Sequence, residues 1–192
     1  MIKYIVALAL TTLSLPALSN DLSDCGNNNR AIALAVLIKA DRNQKRDNIR
    51  CNKLLADAAL AKARKMSEFG LVVHNLGGSP NSHLRNANYK LPSYYGTNFD
   101  SNQVEAIAGG YTNENLVWKA LKNSKQHRTH LLGEHPFYLE QDEIGIAFIS
   151  DWSSPHVEYW VIYLAKGAQP NQLLIKNFTD IPNKQTFVLD NK

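Results

Sequence analysis

The sequence predicts an α+β fold, with helices packed on an antiparallel sheet. Three observations predict it. Helix-forming stretches with apolar residues at helical spacing come first in the 192 residues. Two β-branched and aromatic runs, Glu143–Ser150 and 157–165, come late. The connection between them, 151–156, carries Ser-Ser-Pro and is short enough to make the pair an antiparallel hairpin. The length suits one domain and is marginal for two.

The first residues are read as a secretory signal rather than as part of the fold. Lys3 gives a positive n-region, residues 4–15 are apolar, Pro16 breaks the run, and Ala17-Leu18-Ser19 places small residues where signal peptidase reads them. Cleavage is expected before Asn20, leaving segment 1–19 as the signal peptide. The apolar run is too short to span a bilayer comfortably. A lipid attachment at Cys25 would want a small residue before it, where Asp24 stands. No later segment is apolar enough to cross a membrane, so the mature chain is expected to be soluble and either secreted or periplasmic. In an oxidising compartment Cys25 and Cys51, the two cysteines, are each other's only intrachain partners. A disulfide between them is expected, with two free thiols as the alternative.

The formal net charge is +4, with the basic residues spread out. The nearest approaches to clusters, 39–45 and 62–65, read as solvated helix faces. Nucleic-acid binding needs a concentrated basic face, and none is visible.

From Asn20 the elements follow in order. Residues 21–29 are a polar lead-in. Residues 30–40 are apolar nearly all round and rich in helix formers, which predicts a buried helix. A charged connection, 41–47, completes an N-terminal helical extension, 20–47. A second helix is predicted over 48–69, where Cys51, Leu54, Leu55, Ala58, Ala59, Lys62 and Met66 recur at helical spacing; Gly70 is a natural stop. Leu71-Val72-Val73 then leads into His74, and 75–82 is turn chemistry around Gly77-Gly78-Ser79-Pro80. Residues 91–102 read as a long ordered loop. The apolar segment 104–110 opens with Glu105 and ends on two glycines. Asn113 is a fitting N-cap for a helix over 113–121. After Gly167 the composition turns polar, with a short edge strand at 186–189 the one element expected in the extension 167–192.

The stretch 118–133 passes from an apolar helical turn, through a polar break at Asn123-Ser124, to His127 and His130 beside Leu131-Leu132. There is no HExxH helix, no phosphate-binding glycine loop and no GxSxG elbow. Ser124 has no strand–turn–helix context that would make it a nucleophile. What remains is His74, Glu105 and His127, each at the end of an apolar element. Imidazole supplies a neutral nitrogen ligand or a proton shuttle. A carboxylate can orient that ring or join a metal's ligands, so two histidines and an acid make a sensible divalent-metal site. Spacing alone does not show that they meet, and by itself favours three unrelated polar residues capping their elements.

In order and spacing, several segments resemble the CAP superfamily of cysteine-rich secretory, antigen 5 and pathogenesis-related proteins, in its bacterial SCP-like form. Leu60, Ala63 and Met66 lead up to His74. Arg85 and Tyr89 follow. Val104-Glu105-Ala106-Ile107-Ala108 is similar to the family's Glu-Asn-Ile-Ala segment. Trp118, Ser124, His127, Arg128, Leu131 and Leu132 match its Trp…Ser…His-Arg…Leu-Leu segment, and Glu143-Ile144-Gly145-Ile146-Ala147 and Tyr159-Trp160-Val161 its closing strands. The likeness spans residues 48–165, which makes 48–166 the CAP-like domain. It implies an α–β–α sandwich with a cleft lined by His74, Glu105 and His127, holding Zn²⁺ or another divalent metal. The sequence departs from the family pattern at three places, one of them His130, which stands where the family often has asparagine. No acid follows His74 within 75–81, and Ala106 replaces the asparagine after Glu105.

His130 is read as a packing residue or a support behind the site. His83, His135 and His156 match nothing and are expected at the surface. Tyr94, Tyr95, Tyr111 and Trp118 could line the cleft, with Trp118 better suited to the core. The resemblance leaves three functions open. One is an exported binding module for a lipid, glycan or protein ligand. Another is a metal-assisted, peptidase-like hydrolase, with His74 and His127 on the metal and Glu105 as base or orienter. The third is a structural domain.

Overall fold

A computed structural model describes residues 22–167, and at its centre is the hairpin expected from the two late runs. Strands β3 (Glu143–Ser150) and β4 (Glu158–Ala165) pair antiparallel from Glu143 opposite Ala165 to Ser150 opposite Glu158. Two shorter strands complete a four-stranded sheet in the order β1-β3-β4-β2. Strand β1 (Arg50–Cys51) runs parallel to β3, and β2 (Glu105–Gly109) runs antiparallel to β4.

Strand alternation divides the side chains between two cores. Ile144, Ile146, Phe148, Trp160, Ile162 and Leu164 face α1 (Asn29–Lys39), α4 (Glu114–Asn123) and α5 (Lys125–Leu131). Ala147, Tyr159, Val161, Tyr163 and Ala165 face α2 (Lys53–Phe69) and Leu84 of α3 (Pro80–Asn86). Because both faces are covered, the strands read as near-continuous apolar runs. The result is the α–β–α sandwich. Helix α1, which the sequence placed in an N-terminal extension, forms one wall of the first core. The Cys25–Cys51 disulfide ties the segment before α1 to β1. No described helix is long and apolar enough to cross a membrane.

Helix α2 begins later than the sequence suggested. The main-chain N–H groups of Arg50 and Asn52 donate to Asp142 and Ile144 of the sheet region, so 50–52 run as an extended edge. The Asn52 side chain then caps Leu54 and Leu55. The helix ends at Gly70, in the left-handed region at φ 63°. Beneath it, Gly145 permits a close approach: a Cβ there would lie 2.1 Å from the Ala56 nitrogen. Helix α3, the one-turn α6 (Pro136–Leu139) and the strand character of β2 were not read from the sequence. Helix α4 starts at the Asn113 cap and breaks from α5 at Ser124.

Three expectations need correction. Lys62 is not on a solvated face. It is buried, and its ammonium donates to the carbonyls of Val73 and His74. His83 is half-buried, its Nδ1 3.5 Å from the Tyr163 hydroxyl, whereas His135 and His156 are exposed as expected. Tyr95 packs inside the second core rather than along the cleft, whereas Trp118 lies in the first core, as its sequence position suggests. The signal segment with its cleavage site, and the C-terminal extension after Gly167 with its edge strand at 186–189, lie outside the described residues.

Candidate functional site

The loop after α2 and the start of β2 bring His74 and Glu105 together. Glu105 is the first residue of the edge strand, and its side chain is 0% exposed. His74 opens the turn that follows the irregular run 71–73 after Gly70, with its side chain 42% exposed. The ring Nδ1 lies 2.9 Å from Glu105 Oε1. The other carboxylate oxygen, Oε2, accepts from the Tyr163 hydroxyl at 2.8 Å, across the β2–β4 register in which Glu105 faces Tyr163. Burial, followed by the Glu105 charge, pushes the Tyr163 hydroxyl well above its ordinary pKa, so it stays a donor.

These bonds fix a tautomer. A carboxylate only accepts, so His74 Nδ1 carries the proton between them, and in the neutral ring Nε2 is the atom with the lone pair. Protonated Nδ1 cannot also accept from the Asn102 amide 3.1 Å away; that amide donates to the Glu105 carbonyl instead, also at 3.1 Å. From below, Lys62 holds the His74 carbonyl at 2.6 Å and that of Val73 at 2.8 Å.

His74, Asn102 and Glu105 line a cleft of about 610 Å³ whose other wall is α5, with Lys125, Gln126, His127, Thr129 and His130, and Tyr138 beyond. The cleft thus gathers all three expected residues. Burial, and secondarily the charge His74 would carry, hold the His127 imidazole below its ordinary pKa, which favours the neutral ring. His130 is one turn further along α5 and buried. Its Nε2 is 3.4 Å from the Leu164 carbonyl, and its ring packs 4.8 Å from Tyr138. Burial, with the nearby Arg46 cation, holds it down to about 3. It supports the wall and presents no charge to the cleft.

Tyr94 is exposed, and Tyr111 borders a neighbouring cavity. The aromatic ring that does line the cleft, Tyr138, was not anticipated, and neither were Asn102, Tyr163 and Lys62. Tyr163 alone carried a readable signal: it faces the same side as Val161 along a strongly predicted strand, next to where an edge strand would pair.

Among the described residues no three His, Cys, Asp or Glu side chains come together as a metal-ligand set. Both Glu105 oxygens are already engaged, by His74 and Tyr163. The cleft's remaining strong donors are ring nitrogens of His74 and His127.

Neither a family model nor a curated protein sequence matches this chain. Among solved structures, an outer surface protein from Borrelia burgdorferi is similar, with a TM-score of 0.53 over 71% of this chain and 91% of that one. At 19% identity the likeness is one of fold alone.

Proposed function

We propose that the protein is an exported binding module of the CAP type, whose cleft takes Zn²⁺ or a similar divalent cation through His74 Nε2 and His127. The observation that carries this reading is the His74–Glu105–Tyr163 chain of hydrogen bonds, opening on the cleft that His127 also lines. A carboxylate behind a ligating imidazole fixes the ring's orientation and raises its basicity. Glu105 stands in that position, so it supports the ligand His74 rather than completing the ligand set. Two imidazoles leave the remaining positions of a tetrahedral ion to water or to a bound partner. A cation held there would present an open coordination site to whatever enters the cleft. The signal-like segment 1–19 and the Cys25–Cys51 disulfide support export.

Calorimetric titration of zinc into the protein from Asn20 onward, at neutral pH, tests the reading beside a His74→Ala/His127→Ala double variant. Saturable one-site binding in the parent, lost in the folded double variant, is expected. Absence of binding in the parent would overturn the metal site.

A further inference from the structure

We propose that the outer edge of β2 receives an extended polypeptide as a fifth strand, running from the His74–His127 cleft along α4. The proposal rests on the reading of the molecule as a binding module and names the ligand class its cleft takes.

Strand β2 is an edge of the sheet. Its phase is set by two ladder bonds, Leu164 N–H to the Val104 carbonyl and Gly110 N–H to the Glu158 carbonyl, each 2.9 Å. Even-numbered residues therefore turn their main-chain groups to β4, and Glu105, Ile107 and Gly109 turn theirs outward. At Glu105 a single side-chain amide satisfies both outward groups. Asn102 Oδ1 accepts the Glu105 N–H at 2.9 Å, and Asn102 Nδ2 donates to the Glu105 carbonyl. That is the pair of bonds a neighbouring strand would make.

At Ile107 and Gly109 no described residue supplies such a partner. A second cavity of about 400 Å³ opens there instead, against Ile107, Ala108 and Gly109, with Val72 on one side and Ala120, Leu121 and Ser124 of the α4 end on the other. His127 borders both cavities, which places the second beside the cleft, along the strand from Glu105. A row of free N–H and C=O groups in a groove is complementary to a strand in extended conformation. At the cleft end Lys125 is exposed, while the Glu105 charge is buried and engaged. An acidic side chain or a terminal carboxylate of the guest fits that end.

Panning a random decapeptide display library against the protein from Asn20 onward, in EDTA, tests this, with the most enriched peptide then synthesised. One-to-one binding is expected, with slowed amide exchange at Ile107 and Gly109. N-methylation of alternate peptide amides should weaken binding about tenfold, the effect of a lost main-chain bond, while methylation of the interleaved amides should not. Ala120→Trp, which fills the groove from α4 without touching β2, should weaken binding at least tenfold with the fold intact. No binding peptide, unchanged exchange at Ile107 and Gly109, or equal effects of the two methylation series would each overturn the proposal. Zinc titration of the same protein is read separately. Zinc binding without peptide binding sinks only the strand pairing; peptide binding without zinc sinks only the metal site.

Discussion

The Lys62 ammonium and the His74 carbonyl oxygen lie 2.6 Å apart, so a residue in the middle of α2 fixes the main chain of a cleft residue twelve positions later. The same ammonium holds Val73 at 2.8 Å. Burial lowers its pKa, and the nearby Glu105 charge opposes that effect.

Lys62→Met removes both bonds and leaves two carbonyls unsatisfied. A loss of about 2 kcal/mol is expected from urea unfolding, the usual range for such groups. Zinc affinity should fall as well, because His74 is no longer held from below. Unchanged affinity would show that the loop positions His74 without Lys62.

Glu105→Gln tests the tautomer. The new amide nitrogen must face either His74 Nδ1–H or the Tyr163 hydroxyl, both donors in the parent. Stability should drop by about 1–3 kcal/mol. Zinc affinity should fall about 10- to 100-fold, as when a carboxylate supporting a ligating imidazole is lost. Tyr163→Phe should weaken zinc binding less, since Glu105 still meets His74.

Acid should destabilise the fold through His130. Its ordinary value of 6.5 in the unfolded chain falls to about 3 in the folded one. Between those values the unfolded chain binds the extra proton, so His130's contribution is whole above 6.5 and shrinks by about 1.4 kcal/mol per pH unit below it. His127 and His83, also held down by burial, act in the same direction. The measurement is the unfolding free energy at pH 7 and pH 5. His130→Asn should lose less than the parent on that change, and an equal loss in both would refute the assignment.

Reduction of Cys25–Cys51 frees a loop whose ends are 26 residues apart. For a loop of that length the chain-entropy account gives about 3.5 kcal/mol. The thermal midpoint in dithiothreitol, or of a Cys25→Ser/Cys51→Ser variant, should fall accordingly.

The legible parts of the fold were those whose sequence pattern and environment agree. Strand β4 is aromatic and β-branched along its length, and Asn113 caps α4 as its position suggests. Strand β2 was obscured because Glu-Ala-Ile-Ala-Gly holds two alanines and a glutamate, and its conformation comes from pairing with β4. Helix α3 was obscured because it is polar, with Leu84 its one large apolar buried residue. At the site, His74, Glu105 and His127 stood out because each ends an apolar element, the resemblance matched the same three, and the cleft gathers them. Lys62 escaped because a lysine on a helix is ordinarily solvated; only the return of the chain over α2 supplies the carbonyls that bury it.

Gly145 has a reach beyond its own position. It pairs with Tyr163, the residue that holds Glu105, and its missing side chain lets α2, the helix carrying Lys62, rest backbone-to-backbone on β3. Within the wall opposite α5, His74 is thus hung from the helix and Glu105 from the sheet, and a single hydrogen atom gauges the gap between them. A methyl group at 145 would act as a shim, tilting His74 away from Glu105 without altering any residue that lines the cleft.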